Sequence, residues 1–283
     1  MVESGDYITP VYHEKKRFAK PILYYWMVVS SFKVFDVSLA SARIPSAIFG
    51  TLSIGLIFLL GRKLFDSRVG LFSSFILPTT YLHFQISRWS TTDMALSFFI
   101  LLSLYLFVLL YKTNFQKNTY AYLFYISIGL GFMVKGPVAI LIPSLTILGF
   151  LIATKRRGWF PDLHIGKGLI ILSMTILPWF TAMFWMHGEE FTNHIIGNEI
   201  KNRLAHNTPF SFYYVGVLFR YQLPWSLFFL FTVLKQFGFL GHINSKDMGL
   251  VRRIKGLGKN FTKHTKLLFK EGNESLAFCY TWV

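Results

Sequence analysis

Apolar residues fall in long uncharged runs separated by short polar stretches, and the run lengths are those of membrane-spanning helices. A crossing helix needs about 20 mostly apolar residues, because each adds about 1.5 Å against a hydrocarbon layer of about 30 Å. Uncharged runs of about that length occupy 44–61, 69–87, 94–111, 118–134, 136–154 and 168–188. A seventh, 211–234, carries one charge, Arg220. The stretch 21–32 (PILYYWMVVSSF) is interrupted by Lys33 and is too short to cross, which suits a helix lying at the interface. The pattern predicts an all-α polytopic bundle. Segment 1–43 is extracytoplasmic or interfacial, 44–234 is the bundle with an external loop at 189–210, 235–272 is a basic cytoplasmic loop, and 273–283 starts a truncated span.

Composition agrees with a membrane chain. Over 283 residues, 53% are hydrophobic, 15% are charged and 18% are aromatic, with a mean hydropathy of +0.46. A soluble domain carries about 25% charge, and a disordered chain carries few aromatics. The single cysteine, Cys279, excludes a disulfide framework and a cysteine metal site. A net charge of +16 would suit nucleic acid if the basic residues shared one soluble face. They sit instead in the short connections between runs, where positive charge anchors cytoplasmic loops, so nucleic acid is not expected as a partner.

Orientation follows from the same residues. With 62–68 on the cytoplasmic side, alternation also places 112–117, 155–167 and 235–270 there, collecting eighteen of the twenty-nine Lys and Arg. Asp6, Lys20, Arg88, Asp93, Lys135, Glu189, Glu190, Glu199, Arg203 and His206 then share the opposite face. Residues 1–20 are polar and carry no signal peptide, and the apolar C-terminus stops midway, so the chain reads as an internal fragment of a longer polytopic protein.

Ionisable groups near a bilayer are costly and mark candidate sites. Asp93 opens a span, where a carboxylate is stabilised by the helix dipole, Thr91 or Thr92 can cap, and a site role stands beside the capping role. Lys135, followed by Gly136 and Pro137, tops a tight helical hairpin and either snorkels or holds an anion. Lys20, ahead of Tyr24, Tyr25 and Trp26, suits a lipid phosphate flanked by rings, or a plain interfacial anchor. Glu199 and Arg203, spaced i, i+4, can pair on a helix, and His206 stands alone. Arg220 inside its run needs a phosphate, a cavity or the interface. No P-loop, dinucleotide fingerprint or nucleotide-binding domain is legible. A substrate that arrives within the membrane, such as a polyprenyl-linked sugar, fits this arrangement.

The order of motifs resembles the GT-C class of lipid-linked sugar transferases, most closely the bacterial aminoarabinose (4-amino-4-deoxy-L-arabinose) lipid A transferases and the related protein O-mannosyltransferases. The similarity is carried by GDYITPVYHEKKRFAKPILYYW (5–26), RIPSAIFGTLSIGLIFLLGRKLF (43–65), STTDMALSFF (90–99), GFMVKGPVAILIP (131–143), PFSFYY (209–214) and LPW at 177–179 and 223–225. It implies a multi-pass enzyme of the bacterial inner membrane. Such an enzyme moves a sugar from an undecaprenyl or other polyprenyl phosphate donor to lipid A, another glycan or a protein on the extracytoplasmic face. It also implies that Lys20 binds the donor phosphate, that Lys135 belongs to the external cavity and that Arg203 lies in the loop lining it; the residues themselves add Tyr24, Tyr25 and Arg220 as candidate donor or substrate contacts. Asp93 is the candidate catalytic carboxylate in this chain, and the family's main one lies upstream of its first residue. Glu199 and His206 are the candidate ligands of a divalent metal, while Ala19 stands where the family carries Glu before its Lys-Pro pair. The competing readings are a transporter or flippase of a lipid-linked sugar, and an inactive fragment of the transferase.

Overall fold

A computed structural model describes residues 1–12, 15–154, 163–195, 197 and 213–236. The basic loop beyond 236, the segment 273–283 and most of the loop 189–210 lie outside the described residues, and with them Glu199, Arg203 and His206. The described chain is mostly helical. The expectation of an all-α chain needs one amendment: β1 (Val11–Tyr12) and β2 (Lys15–Lys16) form a short antiparallel pair, Val11 opposite Lys16 and Tyr12 opposite Lys15. The polar N-terminal segment has no apolar periodicity to make a helix, and two strands satisfy its backbone instead.

Ten helices follow among the described residues: α1 (Leu23–Phe35), α2 (Leu39–Leu64), α3 (Ser67–Thr79), α4 (Tyr81–Ser87), α5 (Thr92–Lys112), α6 (Asn118–Lys135), α7 (Val138–Ala153), α8 (Ile165–Asn193), α9 (Tyr213–Tyr221) and α10 (Trp225–Gln236). Three of them, α2, α5 and α8, are long and apolar enough to cross a bilayer singly, and α9 with α10 makes a fourth if the bent pair counts as one span. At 13 residues α1 reaches only about 20 Å, short of the hydrocarbon thickness. Two runs that looked continuous are broken. The run 69–87 divides between α3 and α4 just after Pro78, and 211–234 divides before Trp225 with a bend of 119°. Pro224 removes a backbone donor and disfavours helical geometry in the residue before it, which fits the second break; Pro78 lies within α3, and the first break, at Thr80, comes after it.

Two compact units contain these helices. The first holds residues 1–78, 83–144 and 163–195. In it α5 packs against α2 on one side and α6 on the other, α6 also meets α8, and α1 lies against α2 and α6. The apolar window of α5 is 67% buried and that of α8 is 11% buried, so α5 is the core and α8 presents most of its surface outward. The second unit holds 79–82, 145–154 and 213–236. There the Trp225 indole donates to Thr79 Oγ1 at 2.8 Å, and the Tyr81 amide donates to the Leu223 carbonyl at 3.0 Å.

The start of α2 is built with care for its backbone. Ser38 and Ser41 cap it reciprocally: the Ser41 amide donates to Ser38 Oγ at 3.1 Å and the Ser38 amide donates to Ser41 Oγ at 3.0 Å. Pro45, four residues after Ser41, has no N–H to give the Ser41 carbonyl. Ser31 of α1 supplies the missing donor at 2.6 Å, which ties α1 to α2 at this point.

Candidate active site

Because α5 and α6 pack antiparallel through a short connection, the first turn of α5 and the last turn of α6 lie at one end of the bundle. Thr91 is the N-cap of α5, its side-chain oxygen accepting from the Asp93 amide at 3.3 Å. That leaves Asp93 in the first turn, where the helix dipole favours an anion. Lys135 is the last residue of α6, where the dipole favours a cation, and Gly136 then turns the chain with φ of 89°. The two meet: Lys135 Nζ forms an ion pair with Asp93 Oδ1. Their side chains are 33% and 47% exposed, so the pair is reached by solvent and by any ligand at this end.

Lys20 comes to the same place from the N-terminal segment. Its neighbours Phe18 and Ile22 are buried with Met133, Trp179, Met183 and Phe191, which fixes the backbone on either side. Lys20 Nζ donates to Thr92 Oγ1 at 3.3 Å. The segment is held down along α8. The Trp179 indole donates to the Ile8 carbonyl at 3.0 Å, His187 Nε2 lies 2.9 Å from Thr9 Oγ1, and Lys16 Nζ is 2.7 Å from Glu190 Oε2. Asp6 closes a turn beneath them, accepting from the amides of Ile8 at 2.8 Å and Thr9 at 3.1 Å. Burial pushes the Asp6 carboxyl up, but the amides of Thr9 and Ile8, the Thr9 hydroxyl and His187 outweigh it and hold the group below the usual carboxylate range.

These elements enclose a cavity of about 590 Å³. Arg17, Lys20, Tyr25 and Asp93 give it a polar wall, and Val28, Val29 and Phe32 of α1 give it an apolar one. Burial pushes the Tyr25 phenol up, with Arg17 pulling the other way, so at neutral pH it stays a hydroxyl donor. Tyr24 also lines the cavity, yet it is only 5% exposed and its hydroxyl points to Ser46 Oγ at 2.8 Å. Glu3 also lines the cavity, and a space of this size with two cations beside the Glu3 and Asp93 carboxylates and an apolar wall accommodates an anionic headgroup with an attached chain at its cationic part.

Of the residues singled out in the sequence, Lys20, Tyr24, Tyr25 and Asp93 line this cavity, and Lys135 stands against it through Asp93. Lys135 pairs with the carboxylate of Asp93. Arg220 is exposed in the last turn of α9, in the second unit, and is absent from the lining. Among the described residues no group of three or more His, Cys, Asp or Glu side chains could hold a metal ion. Arg17 and the clasp of Thr9 and Lys16 on α8 went unnoticed in the sequence. The tract KKRFAK (15–20) was the available signal for Arg17.

The fold and this end of the bundle are those of a multi-pass membrane protein with a polar cavity at the mouth of its helices. Residues 19–181 match the dolichyl-phosphate-mannose-protein mannosyltransferase family, and the chain belongs to it. It is 30% identical over 239 residues to undecaprenyl phosphate-alpha-4-amino-4-deoxy-L-arabinose arabinosyl transferase 2 of Pseudomonas fluorescens, covering 80% of this chain and 42% of that protein. It is 28% identical over 236 residues to an uncharacterized protein of Aquifex aeolicus, covering 82% of this chain and 46% of that one. Crystal structures of ArnT from Cupriavidus metallidurans share the fold at 20% identity. The apo form superposes with a TM-score of 0.72 over 100% of this chain and 51% of that one. The form bound to undecaprenyl phosphate gives 0.74 over 99% and 52%. The chain therefore spans about half the length of these relatives.

Proposed function

We propose that this chain belongs to a glycosyltransferase that moves a sugar from a polyprenyl phosphate donor to lipid A, another glycan or a protein, at the outer face of a bacterial inner membrane. The observation that carries the reading is the cavity whose polar wall holds Lys20, Arg17 and Asp93 together and which is bounded also by apolar residues of α1. Support comes from the family to which the chain belongs and from two relatives, one named an undecaprenyl phosphate-alpha-4-amino-4-deoxy-L-arabinose arabinosyl transferase and one crystallised with undecaprenyl phosphate.

In this reading the donor phosphate sits against Lys20 and Arg17, whose charges stabilise the negative charge that grows on it as the bond to the anomeric carbon breaks. The Tyr25 hydroxyl donates to a phosphate oxygen, and the isoprenoid leaves along Val28 and Phe32. Asp93, its Oδ1 engaged by Lys135, offers Oδ2 to the acceptor nucleophile and takes its proton. Glu199 and His206 remain candidate ligands of a divalent metal, with Arg203 as a further substrate contact. We extend the same reading to topology: seven spans cross, the shorter α6 and α7 among them, and 1–43 with 189–210 lies outside while 235–272 lies in the cytoplasm.

The test uses membranes containing the protein and a radiolabelled polyprenyl-phosphate-linked pentose, scored for sugar passed to the acceptor. Lys20→Ala and Asp93→Asn should each lower transfer by about 100-fold, the scale of one lost transition-state contact. Wild-type turnover in both would refute the site. Movement of intact donor across the bilayer without transfer would favour a flippase.

A further inference from the structure

Ser46 is fully buried in α2, at 0% exposure, yet it bonds to two other segments and not to its own helix. Thr51 and Ser53, on the same helix, return their hydroxyls to the carbonyls of Ala47 at 3.0 Å and Phe49 at 2.7 Å. A helical serine can therefore be satisfied at home. Ser46 Oγ instead lies 2.8 Å from the Tyr24 hydroxyl, 3.3 Å from the Thr91 carbonyl oxygen and 3.4 Å from the Thr91 amide nitrogen.

A carbonyl only accepts, so the single Ser46 hydrogen goes to Thr91 O. Ser46 then accepts from the Thr91 amide and from Tyr24, making Tyr24 the donor of that pair. Its single hydrogen spent, Tyr24 can only accept from Ser90 Oγ, which lies 3.4 Å away. One hydroxyl thus fastens both backbone polar groups of the residue that caps α5. The next two residues carry the cavity's polar edge: Thr92 accepts from Lys20, and Asp93 pairs with Lys135.

We infer that Ser46 is a positioning residue for the donor site, holding Thr92 and Asp93 in register with Lys20 through Thr91 and Tyr24. At 0% exposure it touches no ligand. On the same grounds Tyr24 serves the cavity more by its buried hydroxyl than by its ring. The inference rests on the polyprenyl phosphate reading above, and its test separates the two.

The protein in lipid nanodiscs is compared as wild type, Ser46→Ala, Ser53→Ala, Tyr24→Phe and the Ser46→Ala/Tyr24→Phe double variant. Ser53→Ala removes a buried hydroxyl from the same helix, at a position 4% exposed, and serves as the control for stability alone. Two measurements are made: hydrogen–deuterium exchange over 88–95, and binding of undecaprenyl phosphate. Ser46→Ala should speed exchange over 88–95 and weaken binding about 5-fold, the scale of one buried hydrogen bond. Ser53→Ala, at an equal loss in unfolding temperature, should do neither. The double variant should bind no worse than the weaker single, because both changes cut one network. Wild-type exchange in Ser46→Ala, or equal effects from Ser53→Ala, would overturn the inference. If the wild type fails to bind undecaprenyl phosphate, the donor reading falls, and exchange alone decides whether Ser46 holds the turn.

Discussion

Lys20 and Thr92, separated by 72 positions in the chain, meet at 3.3 Å. The contact joins the N-terminal segment to the first turn of the bundle's most buried helix, and it brings the lysine to the side of the cavity where Asp93 stands. Thr92 lines the cavity but is only 6% exposed, and its hydroxyl is spent as the acceptor for the lysine. Thr92→Val keeps the shape and removes the acceptor. It should weaken undecaprenyl phosphate binding only about 2- to 5-fold, while Lys20→Ala, which removes the charge, should weaken it far more. Titration of both variants in nanodiscs checks the order, and equal losses would mean that Thr92 contacts the ligand directly.

The Asp93 and Lys135 pair makes a separate prediction. Both side chains are a third to a half exposed, so Lys135→Met should cost no more than about 1 kcal/mol of stability. Its effect on transfer should be large, since the carboxylate loses the cation that aims it. If the two act as a unit, Lys135→Met combined with Asp93→Asn should be no slower than Asp93→Asn alone. Additive losses in transfer rate would separate their roles.

Close helix packing can be tested away from the cavity. A Cβ on Gly70 of α3 would stand 2.6 Å from the Phe58 carbonyl oxygen and 3.0 Å from the Arg62 amide nitrogen of α2. Those are backbone atoms that cannot step aside, so Gly70→Ala should destabilise by roughly 1–3 kcal/mol. Gly55→Ala, on α2 itself, meets nothing within 4 Å and should leave stability unchanged or slightly raised. Unfolding temperatures of the two purified variants give the comparison.

Acid should loosen the N-terminal clasp. The folded carboxyl of Asp6 titrates below its unfolded value, so its contribution to stability is present above about pH 4 and is lost as pH falls through the folded value. Asp6→Asn cannot titrate. The difference in unfolding temperature between wild type and Asp6→Asn should therefore shrink as pH drops below about 4. A difference that stays constant from pH 7 to pH 3 would show that the carboxylate is not what holds Ile8 and Thr9 in place.

The apolar runs marked where helices lie because crossing length is a sum over neighbouring residues, while the cap, offered as Thr91 or Thr92, and the turn at Gly136 were legible from the residue types themselves. Two runs that hydropathy joined are broken, at Thr80 and before Trp225, since an apolar average is blind to backbone geometry. The strand pair at 11–16 escaped notice because two residues per strand leave no period to detect.

Local patterning therefore settled the class of the molecule: apolar runs of crossing length, and five ordered motifs that pointed to lipid-linked sugar transferases. Which side chains share a cavity was decided only when α5 and α6 packed antiparallel and the N-terminal segment seated on α8. That is why Lys135 found Asp93, Arg17 joined Lys20, and Ser46 could fasten a turn 45 positions away. Charge and hydropathy are properties a residue carries alone. A hydrogen bond between distant segments is a property of the pair, and it exists only once the core has set their distance.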